Sequence, residues 1–563
     1  MRRCLVVATA TLIFASSSSA VAQVAIDRTV RGQTWTSFQS TINLLHIVEG
    51  VGLADIGDIH PVPRILREAF LDDVVQQLGM TGLSMTLFLS GGSGAEPGIE
   101  PVNDNADPFV LDDSQIKWFA FDPYVRDVVV PMKSRVEARG EPFWFRMVVS
   151  TARTFHWREP ASAPGEEYAE IVSAALLRMR DRFGVVPNVL SFTNEPNNGT
   201  VDPDALGFAI RALERRLRRV GLDVPFGYPD TSEASLAPRF YEPLARTSSA
   251  VMDRMRFLGF HGYNGSINGS QLRPLRDLAL RDGLQTMQTE WWFSRDHRRD
   301  IITCLNESNA VVYEAFALGM GPAARPKLYG LTASGGTPPI LRYQGFVRGA
   351  NWHDIFHFAR FIRPGDVRVG TASADARIYA LAFEKPDGRN VLVLKSDATT
   401  DLTVAISGLA SGRYGAIASD TSRKAQLLGT FDVTNGTAAV VVWRNGITTV
   451  TTDLGAVPVP PVPTIASLIP ALDGGVVDQG EVDSGRSESD AGRGDARCDC
   501  GTVRPAPGVE AGIQLASDKE LREGCACGVQ SPKHTSLFVL FILAFGLARR
   551  SESRKRRSHA DSC

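Results

Sequence analysis

The sequence predicts an α/β fold, a (β/α)₈ barrel followed by a smaller all-β sandwich domain. Between about residues 33 and 363, apolar strand-like runs alternate with amphipathic helix-like segments. This is the pattern of parallel strands joined by crossover helices. From residue 377 to 452 the apolar residues recur with period two between short turns, as in an antiparallel sheet. A chain of 563 residues is long enough for both domains and further segments.

The barrel is assigned to residues 23–363, and eight strand-like runs are counted there, the number that a (β/α)₈ barrel requires. One lies within residues 34–47, and the others are at 82–89, 142–149, 189–193, 224–228, 256–263, 284–290 and 328–333. Among the helix-like segments, residues 168–183 place their apolar side chains on one face. Gly184 follows as a left-handed residue that ends the helix.

The sandwich is assigned to residues 364–452. Apolar runs on both sides of Pro386-Asp387-Gly388 predict a β-hairpin, and Asn-Gly pairs at 435–436 and 445–446 predict further turns. Of seven cysteines, only Cys304 lies between residues 23 and 497. Burial of apolar side chains, and not a disulfide framework, must therefore stabilise both domains.

Both ends of the chain predict export. Residues 1–22 read as a signal peptide, with a basic start, an apolar run at 5–15 and a small-residue cleavage site at 20–22. Residues 453–524 predict a disordered linker that is first rich in proline and then acidic. Residues 525–563 contain Cys525-Ala526-Cys527-Gly528, an apolar run at 537–548 and a cluster of arginines and lysines.

This C-terminal tail resembles the MYXO-CTERM class of bacterial surface-sorting signals, in which a Cys-containing motif precedes a short hydrophobic helix and an Arg cluster. The apolar run is shorter than the roughly 20 residues of a stable membrane span. The alternative is a plain C-terminal membrane anchor. Cys498 and Cys500 are interpreted either as an extra disulfide or as a pair of metal ligands, and two ligands alone are weak evidence for a metal site. We expect an exported protein, at the cell surface or extracellular, with transient or stable C-terminal membrane anchoring and a tail that engages the sorting machinery.

Two glutamates at the ends of strand-like runs indicate the chemistry. Glu195 follows Asn194 at the end of the run 189–193, and Glu290 ends the run 284–290. If these runs are strands four and seven, the glutamates face each other across the mouth of the barrel, where parallel strands end together. Glycoside hydrolysis needs one carboxylic acid to protonate the leaving oxygen and one carboxylate to attack or to activate water.

The residues around both glutamates resemble glycoside hydrolase family 30, whose (β/α)₈ retaining enzymes carry the acid/base on strand four and the nucleophile on strand seven. The matching segments are Ser-Phe-Thr-Asn-Glu-Pro at 191–196, Gly-Phe-His-Gly-Tyr at 259–263, Gln-Thr-Glu-Trp at 288–291 and Phe-Ala-Arg-Phe-Ile-Arg-Pro-Gly at 358–365. The resemblance covers roughly residues 24–450. It implies Glu195 as general acid/base and Glu290 as nucleophile, with no metal and no other cofactor. It also implies that an N-terminal strand at 24–33 joins the β-domain.

The expected substrate-binding residues are Asn194, His261, Tyr263, Trp291, Trp292 and Trp352. Asn194 is placed to bond a sugar 2-hydroxyl or Glu290, and Tyr263 to donate to Glu290. The tryptophans offer flat faces for sugar rings, although Trp292 is equally suited to pack behind the nucleophile, and His261 to be a core residue. The reaction requires a raised pKa for the acid Glu195 and hydrogen bonds that keep Glu290 ionised.

The leading hypothesis is a retaining hydrolase that cuts β-glycosidic bonds of an extracellular polysaccharide or glycoconjugate by double displacement. Residues 149–157 replace the Ser-Pro-Trp-Ser run of many family members, which leaves the sugar open. The polar run 100–108 lines the cleft, forms a surface loop or holds a cation. The alternatives are a catalytically inactive surface carbohydrate-binding or adhesion protein, and a scaffold held by partner contacts. The net charge of −2 indicates no nucleic-acid partner.

Overall fold

The structure is a computed structural model, and the residues that it describes lie in the first of two units of the chain, which extends to Leu468. The described residues are 22–42, 64–88, 107, 110, 116, 118, 121–150, 165–198, 203–291, 296–316, 318–320, 328–334, 342–463 and 465–468. The predicted signal peptide, the acidic part of the linker and the sorting tail lie outside them. None of the described helices is long and apolar enough to cross a membrane.

Eight parallel strands close into a barrel. The chain begins with strand β1 (Ala22–Thr34), which belongs to the second domain. The barrel strands are β2 (Ser37–Ile42), β3 (Gly82–Phe88), β4 (Trp144–Ser150), β5 (Val189–Ser191), β6 (Phe226–Thr231), β7 (Met255–His261), β8 (Gln285–Glu290) and β9 (Ala310–Ala315). β9 pairs with β2, with Ser37 opposite Val312, and closes the ring. The predicted (β/α)₈ fold class is confirmed.

The eighth barrel strand is not the one that the sequence predicted. The run at 328–333 forms strand β11 (Tyr329–Ser334), which pairs with the short β10 (Gly319–Met320) and with β12 (Arg342–Arg348) in a separate three-stranded sheet. The barrel is closed instead by β9, whose six residues are all buried. Both runs are short and apolar, and their patterns do not distinguish them. Pairing with β2 decides which one completes the ring.

Helices follow the barrel strands. They are α1 (Arg64–Asp72), α2 (Phe121–Tyr124), α3 (Val130–Ala138), α4 (Glu166–Phe183), α5 (Pro203–Arg219), α6 (Ala237–Thr247), α7 (Ser249–Met252), α8 (Gly269–Arg281), α9 (His297–Ser308), α10 (Trp352–Ala359) and α11 (Ile465–Leu468), with π-helical turns at Asp73–Leu78 and Val125–Val129 and 3₁₀ turns at Ala234–Leu236 and Leu454–Ala456. α4 ends as predicted, because Gly184 has a φ of 64° and its N–H bonds to the carbonyls of Arg180 and Met179.

The second domain is a nine-stranded sheet that folds over its own core. With β1 it contains β13 (Val367–Ser373), β14 (Ile378–Glu384), β15 (Asn390–Ser396), β16 (Leu402–Ser407), β17 (Gly412–Ser419), β18 (Gln426–Val433), β19 (Thr437–Val442) and β20 (Ile447–Thr451). The predicted hairpin joins β14 to β15. β1 lies between β13 and β16, so the N-terminal strand belongs to this domain.

Alternate residues of β14 and β15 contribute to two different cores. Ala380 and Ala382 pack inside the β-domain, whereas Leu381 and Phe383 pack into the core of the barrel. Since neighbouring residues of a strand point to opposite faces, one strand connects the two hydrophobic cores. The β-domain is therefore packed directly against the barrel.

The first part of the predicted linker is packed on the barrel. Val457, Val459 and Val462 contact its core, and the Arg348 guanidinium donates to the Pro460 carbonyl at 2.7 Å. The expectation that disorder begins at residue 453 is wrong for these residues. Alternating Val and Pro gives an extended segment whose valines reach an apolar surface while its backbone bonds to one arginine.

Candidate active site

Glu195 lies on the loop after β5, at the C-terminal mouth of the barrel. Its φ of 50° is in the left-handed region that non-glycine residues seldom adopt. The conformation is held by the next strand, because the Glu195 N–H donates to the Asp230 carbonyl at 3.0 Å. The Asn198 amide donates to Glu195 Oε2 at 2.6 Å. Both the backbone and the carboxylate of Glu195 are thus fixed.

Glu290 is the last residue of β8 and is held from the neighbouring strand β7. Its carbonyl accepts the Gly262 N–H at 3.2 Å. The Tyr263 hydroxyl donates to Glu290 Oε1 at 2.7 Å, as the sequence predicted. The side chain of Glu290 is 15 % exposed, and that of Glu195 is 20 % exposed. Both carboxylates therefore reach solvent at the mouth.

His261 lies between the two glutamates and is fully buried. Its Nδ1 is 2.9 Å from Glu195 Oε1 and 4.0 Å from Glu290 Oε2. One side-chain atom of each of the three residues lies within 4.8 Å of the other two. These three atoms are of the kinds that bind divalent cations, although two carboxylates that cleave a glycoside need no metal.

The three groups shift one another's pKa values. Burial raises the pKa of Glu195, but hydrogen bonds from His261 and Asn198 stabilise its charged form and bring the pKa below its ordinary value. Burial raises the pKa of Glu290, and the nearby Glu195 charge adds to this, against the effect of His261 and the Tyr263 hydroxyl. Burial alone would lower the pKa of His261, but the surrounding carboxylates raise it.

These shifts are opposite to the expectation that Glu195 has a raised pKa and that Glu290 is readily ionised. The reason is the position of His261, which bonds to Glu195 and lies farther from Glu290. In the free site these directions favour a proton on the imidazole or on Glu290 over one on Glu195. His261 was predicted as a substrate-binding or core residue, and its bond to Glu195 was not predicted.

Several solved structures with the same architecture are named as glycosidases. The chain superposes on a family 30 endoxylanase from Clostridium papyrosolvens, with 17 % identity, a TM-score of 0.53 and coverage of 76 % of this chain and 99 % of that one. Family 30 xylanase C from Talaromyces cellulolyticus is 15 % identical, with a TM-score of 0.54 and coverage of 76 % of this chain and 99 % of that one. An endo-β-1,6-glucanase is 14 % identical, with a TM-score of 0.51 and coverage of 76 % of this chain and 93 % of that one. No protein-family model matches the sequence, and no curated protein is significantly similar to it.

The chain has the fold of glycoside hydrolase family 30. At these identities the similarity establishes the fold and not the activity. An N-terminal strand joins the β-domain before the barrel begins, as the resemblance to family 30 implied.

Trp291 directly follows Glu290 and packs against Tyr263. Its ring lies over the backbone of Gly262, where an added Cβ would come within 2.3 Å of it, so a larger residue does not fit there. The ring centroid is 5.6 Å from that of Tyr263, and the residue is 8 % exposed. Trp291 thus supports Tyr263 and is almost fully buried.

The other predicted binding residues have different outcomes. Asn194 is half-buried beside Glu195, and within the described chain no hydrogen bond joins it to Glu290. Trp292 lies outside the described residues. Trp352 has no exposed surface, because it stacks on Phe356 and donates to the Tyr329 hydroxyl at 2.7 Å. The prediction that Trp352 offers a face to a sugar is wrong. Trp352 is the first residue of the buried helix α10, and an aromatic residue at the start of an apolar helix is more often a packing residue than a binding residue.

A polar rim lies on the Glu195 side of the mouth. Asn197 exchanges two hydrogen bonds with Ser232, through its Oδ1 at 2.9 Å and its Nδ2 at 2.7 Å. The Asn264 amide donates to Glu233 at 2.6 Å. These side chains follow β5, β6 and β7. The loops 100–108 and 151–157, which the sequence analysis associated with the cleft, fall largely outside the described residues.

Sequence reasoning missed the charged residues beneath the two glutamates. Arg146, Asp230 and Glu314 lie inside the barrel with at most 1 % of their side chains exposed. Only Arg146 gave a signal, as a charged residue within the predicted run 142–149. Asp230 lies beyond the predicted run 224–228, and Glu314 lies on β9, which was not predicted. Such a residue, once buried, needs a partner of opposite charge.

Proposed function

We propose that this protein is a retaining glycoside hydrolase that cleaves β-glycosidic bonds by double displacement, with Glu290 as nucleophile and Glu195 as general acid/base. The observation that carries the proposal is the spacing of the pair. Their facing oxygens lie within 4.8 Å of each other. Retaining glycosidases hold the two carboxyl groups about 5–5.5 Å apart, whereas inverting enzymes need roughly 6.5–9.5 Å to admit a water molecule.

The Tyr263 hydrogen bond supports Glu290 as the nucleophile. Its hydroxyl binds one carboxylate oxygen and leaves the other directed toward the mouth and His261. A nucleophile held in one rotamer attacks the anomeric carbon without a further loss of rotational freedom. Trp291, packed against Tyr263, keeps that donor in place.

In this proposal His261 stores the proton that the leaving group needs. The imidazolium is one hydrogen bond from Glu195, at 2.9 Å. When a sugar displaces water from Glu195, the lost hydration favours its neutral form. The proton then passes from His261 to Glu195 and on to the glycosidic oxygen, while Glu290 forms the glycosyl ester. In the second half, Glu195 accepts a proton from the attacking water and His261 recovers it.

The mouth of the barrel supports the proposed substrate class. The polar rim lies beside Glu195, where the leaving-group sugar must lie, and Asn194 is placed to bond a hydroxyl of the sugar that Glu290 attacks. The structural neighbours are named as xylanases and a β-1,6-glucanase. We infer a β-linked polysaccharide or glycoconjugate outside the cell, reached by an exported protein that its C-terminal tail holds at the cell surface.

Sugar release by residues 23–468 tests this function. Wild type is compared with Glu290→Gln, and with Glu307→Gln as a matched control, because Glu307 pairs with Arg273 away from the mouth. The panel contains xylan, β-1,6-glucan, β-1,6-galactan, β-1,4-glucan and aryl β-glycosides. Products from wild type and Glu307→Gln but not from Glu290→Gln support the proposal. Binding without products by all three proteins would instead favour the adhesion alternative.

A further inference from the structure

One arginine inside the barrel contacts acids on two other strands. Arg146 lies on β4, and its guanidinium donates to Asp230 on β6 at 2.7 Å and to Glu314 on β9 at 3.1 Å. Its side chain is 1 % exposed. A charge in this position is unstable unless its partners remain, so the three residues act as one unit.

The same unit is bonded to the chain next to both glutamates. Arg146 donates to the Thr289 carbonyl, immediately before Glu290, at 3.2 Å, and to the Ser191 hydroxyl at the end of β5 at 3.0 Å. The Asp230 carboxylate accepts the Thr289 hydroxyl at 2.8 Å. The Asp230 carbonyl accepts the Glu195 N–H at 3.0 Å. Strands β5 and β8 are thus connected through β6 by hydrogen bonds beneath the mouth.

The charges around Glu314 do not balance. The acids of this interior are Asp230 on β6, Glu290 on β8, Glu314 on β9 and Glu195 after β5. The cations are Arg146 on β4 and, when protonated, His261 on β7. The neutral neighbours of the Arg146–Glu314 pair are Gln39, which donates to Glu314, and Ser84, which accepts from Arg146 at 2.9 Å.

An excess of buried acids makes one of them retain a proton. Burial raises the pKa of Glu314 to about 7, with Arg146 opposing the rise and Glu290 adding to it. By reciprocity, an ionised Glu314 makes Glu290 harder to ionise. The charge of Glu314 therefore influences the carboxylate at the mouth across the barrel interior.

We propose that Arg146 and Glu314 are positioning residues: Arg146 fixes the spacing of the two glutamates, and Glu314 adjusts the pH range in which they work. The proposal rests on the proposed glycosidase function for its kinetic readout. Neither residue touches the substrate, and both act through β8 and through the charge near Glu290.

Glu314→Gln tests the charge role, because the amide preserves shape and removes the titrating group. In the full chain, the basic limb of the pH profile of kcat/KM is expected to move to lower pH, by roughly one unit, the effect of one nearby buried charge. The acidic limb should stay in place, because Glu314 is already protonated there. Asp366→Asn is the matched control. Asp366 is also a buried acid, with a pKa raised to about 6, but it contacts Arg363 and Lys385 and not the barrel interior. Its profile is expected to coincide with that of wild type.

Arg146→Lys tests the spacing role. Lysine keeps the charge but cannot bond Asp230, Glu314 and Thr289 together. We expect kcat to fall at least tenfold with the pH limbs unmoved. Normal kcat in folded Arg146→Lys, or an unshifted basic limb in Glu314→Gln, overturns the corresponding half of the proposal.

An NMR titration of the His261 imidazole needs no catalysis. Removal of the Glu314 charge is expected to lower the pKa of His261, whereas Asp366→Asn leaves it unchanged. If wild type hydrolyses nothing but His261 shifts as expected, the proposed function fails and the network remains. If wild type hydrolyses a glycoside and His261 does not shift, the charge role of Glu314 fails.

Discussion

Tyr263 donates a hydrogen bond of 2.7 Å to Glu290 from the adjoining strand region, two residues beyond the end of β7. The pairing of the two strands has a register shift at this point, between Phe260 and His261. Such irregularities re-aim side chains at the ends of strands. Here the shift coincides with the turn of Tyr263 toward the carboxylate.

Replacing Tyr263 with Phe is expected to lower kcat/KM about ten- to a hundredfold, because a hydrogen bond to a charged group contributes roughly 1.5–3 kcal/mol. The hydroxyl lowers the pKa of Glu290, so its loss raises that pKa, and the acidic limb of the pH profile moves to higher pH. Tyr241→Phe is the control, since Tyr241 makes a similar bond to Asp282 at 2.9 Å on the outside of the barrel. A reduced kcat with an unmoved acidic limb would contradict the assigned role.

The pKa directions alone would make Glu290 the acid and Glu195 the nucleophile. Azide distinguishes these assignments from the proposed ones. Without an acid, Glu195→Ala should still form the glycosyl ester from an aryl glycoside with a good leaving group, and then stall. Added azide is expected to restore turnover and to give the β-glycosyl azide, because it attacks from the face that Glu195 vacates. Glu233→Ala, at the rim, should not respond to azide. Formation of the α-glycosyl azide by Glu195→Ala would exchange the two assignments.

The sequence predicted the parts of the site that depend on strand order. Glu195, Glu290 and Tyr263 meet because parallel strands end together, a property that the pattern of strand-like runs contains. The pairing of Arg146 with Glu314 was not predictable in this way. It depends on which strands face each other across the closed barrel, and one of the two lies on β9, the strand that the sequence analysis did not recognise.

Trp352 and the segment after Thr452 show why local pattern was insufficient elsewhere. A tryptophan side chain can stack on a sugar ring or pack in a hydrophobic core. For Trp352, only the positions of Phe356 and Tyr329 decide between these two roles. A Val-Pro alternation has the composition of a spacer. Whether it docks depends on residues far away in the sequence, such as Arg348, which donates to the Pro460 carbonyl from 112 positions earlier in the chain.

The docked segment predicts where the chain can be shortened. A chain that ends at Leu468 should be as stable as the full chain, whereas one that ends at Thr452 loses the contacts of Val457, Val459 and Val462. Partial burial of three valines contributes roughly 2–4 kcal/mol. Urea denaturation of the two truncated proteins measures the difference. Equal midpoints would show that the segment does not stabilise the barrel.

The buried His357 predicts how stability depends on pH. It lies on α10 between the barrel and the β-domain, with its ring nitrogens 2.8 Å from Thr449 Oγ1 and 2.8 Å from Ser419 Oγ. Burial lowers its pKa from 6.5 to about 3. Below pH 6.5 the unfolded chain therefore binds a proton that the folded chain excludes until about pH 3. The free energy of unfolding should fall over this interval, by up to about 1.4 kcal/mol per pH unit.

The His357→Gln variant removes this titration, so its stability deficit relative to wild type should shrink between pH 7 and pH 4. Asp366→Asn supplies a control of opposite sign. The pKa of Asp366 is raised from 3.8 to about 6, so its contribution to stability is present at low pH and is lost as the pH rises through that interval. Urea denaturation at pH 7, 6, 5 and 4 measures both. Parallel curves for wild type and His357→Gln would show that His357 titrates normally, and hence that the interface between the two domains admits water.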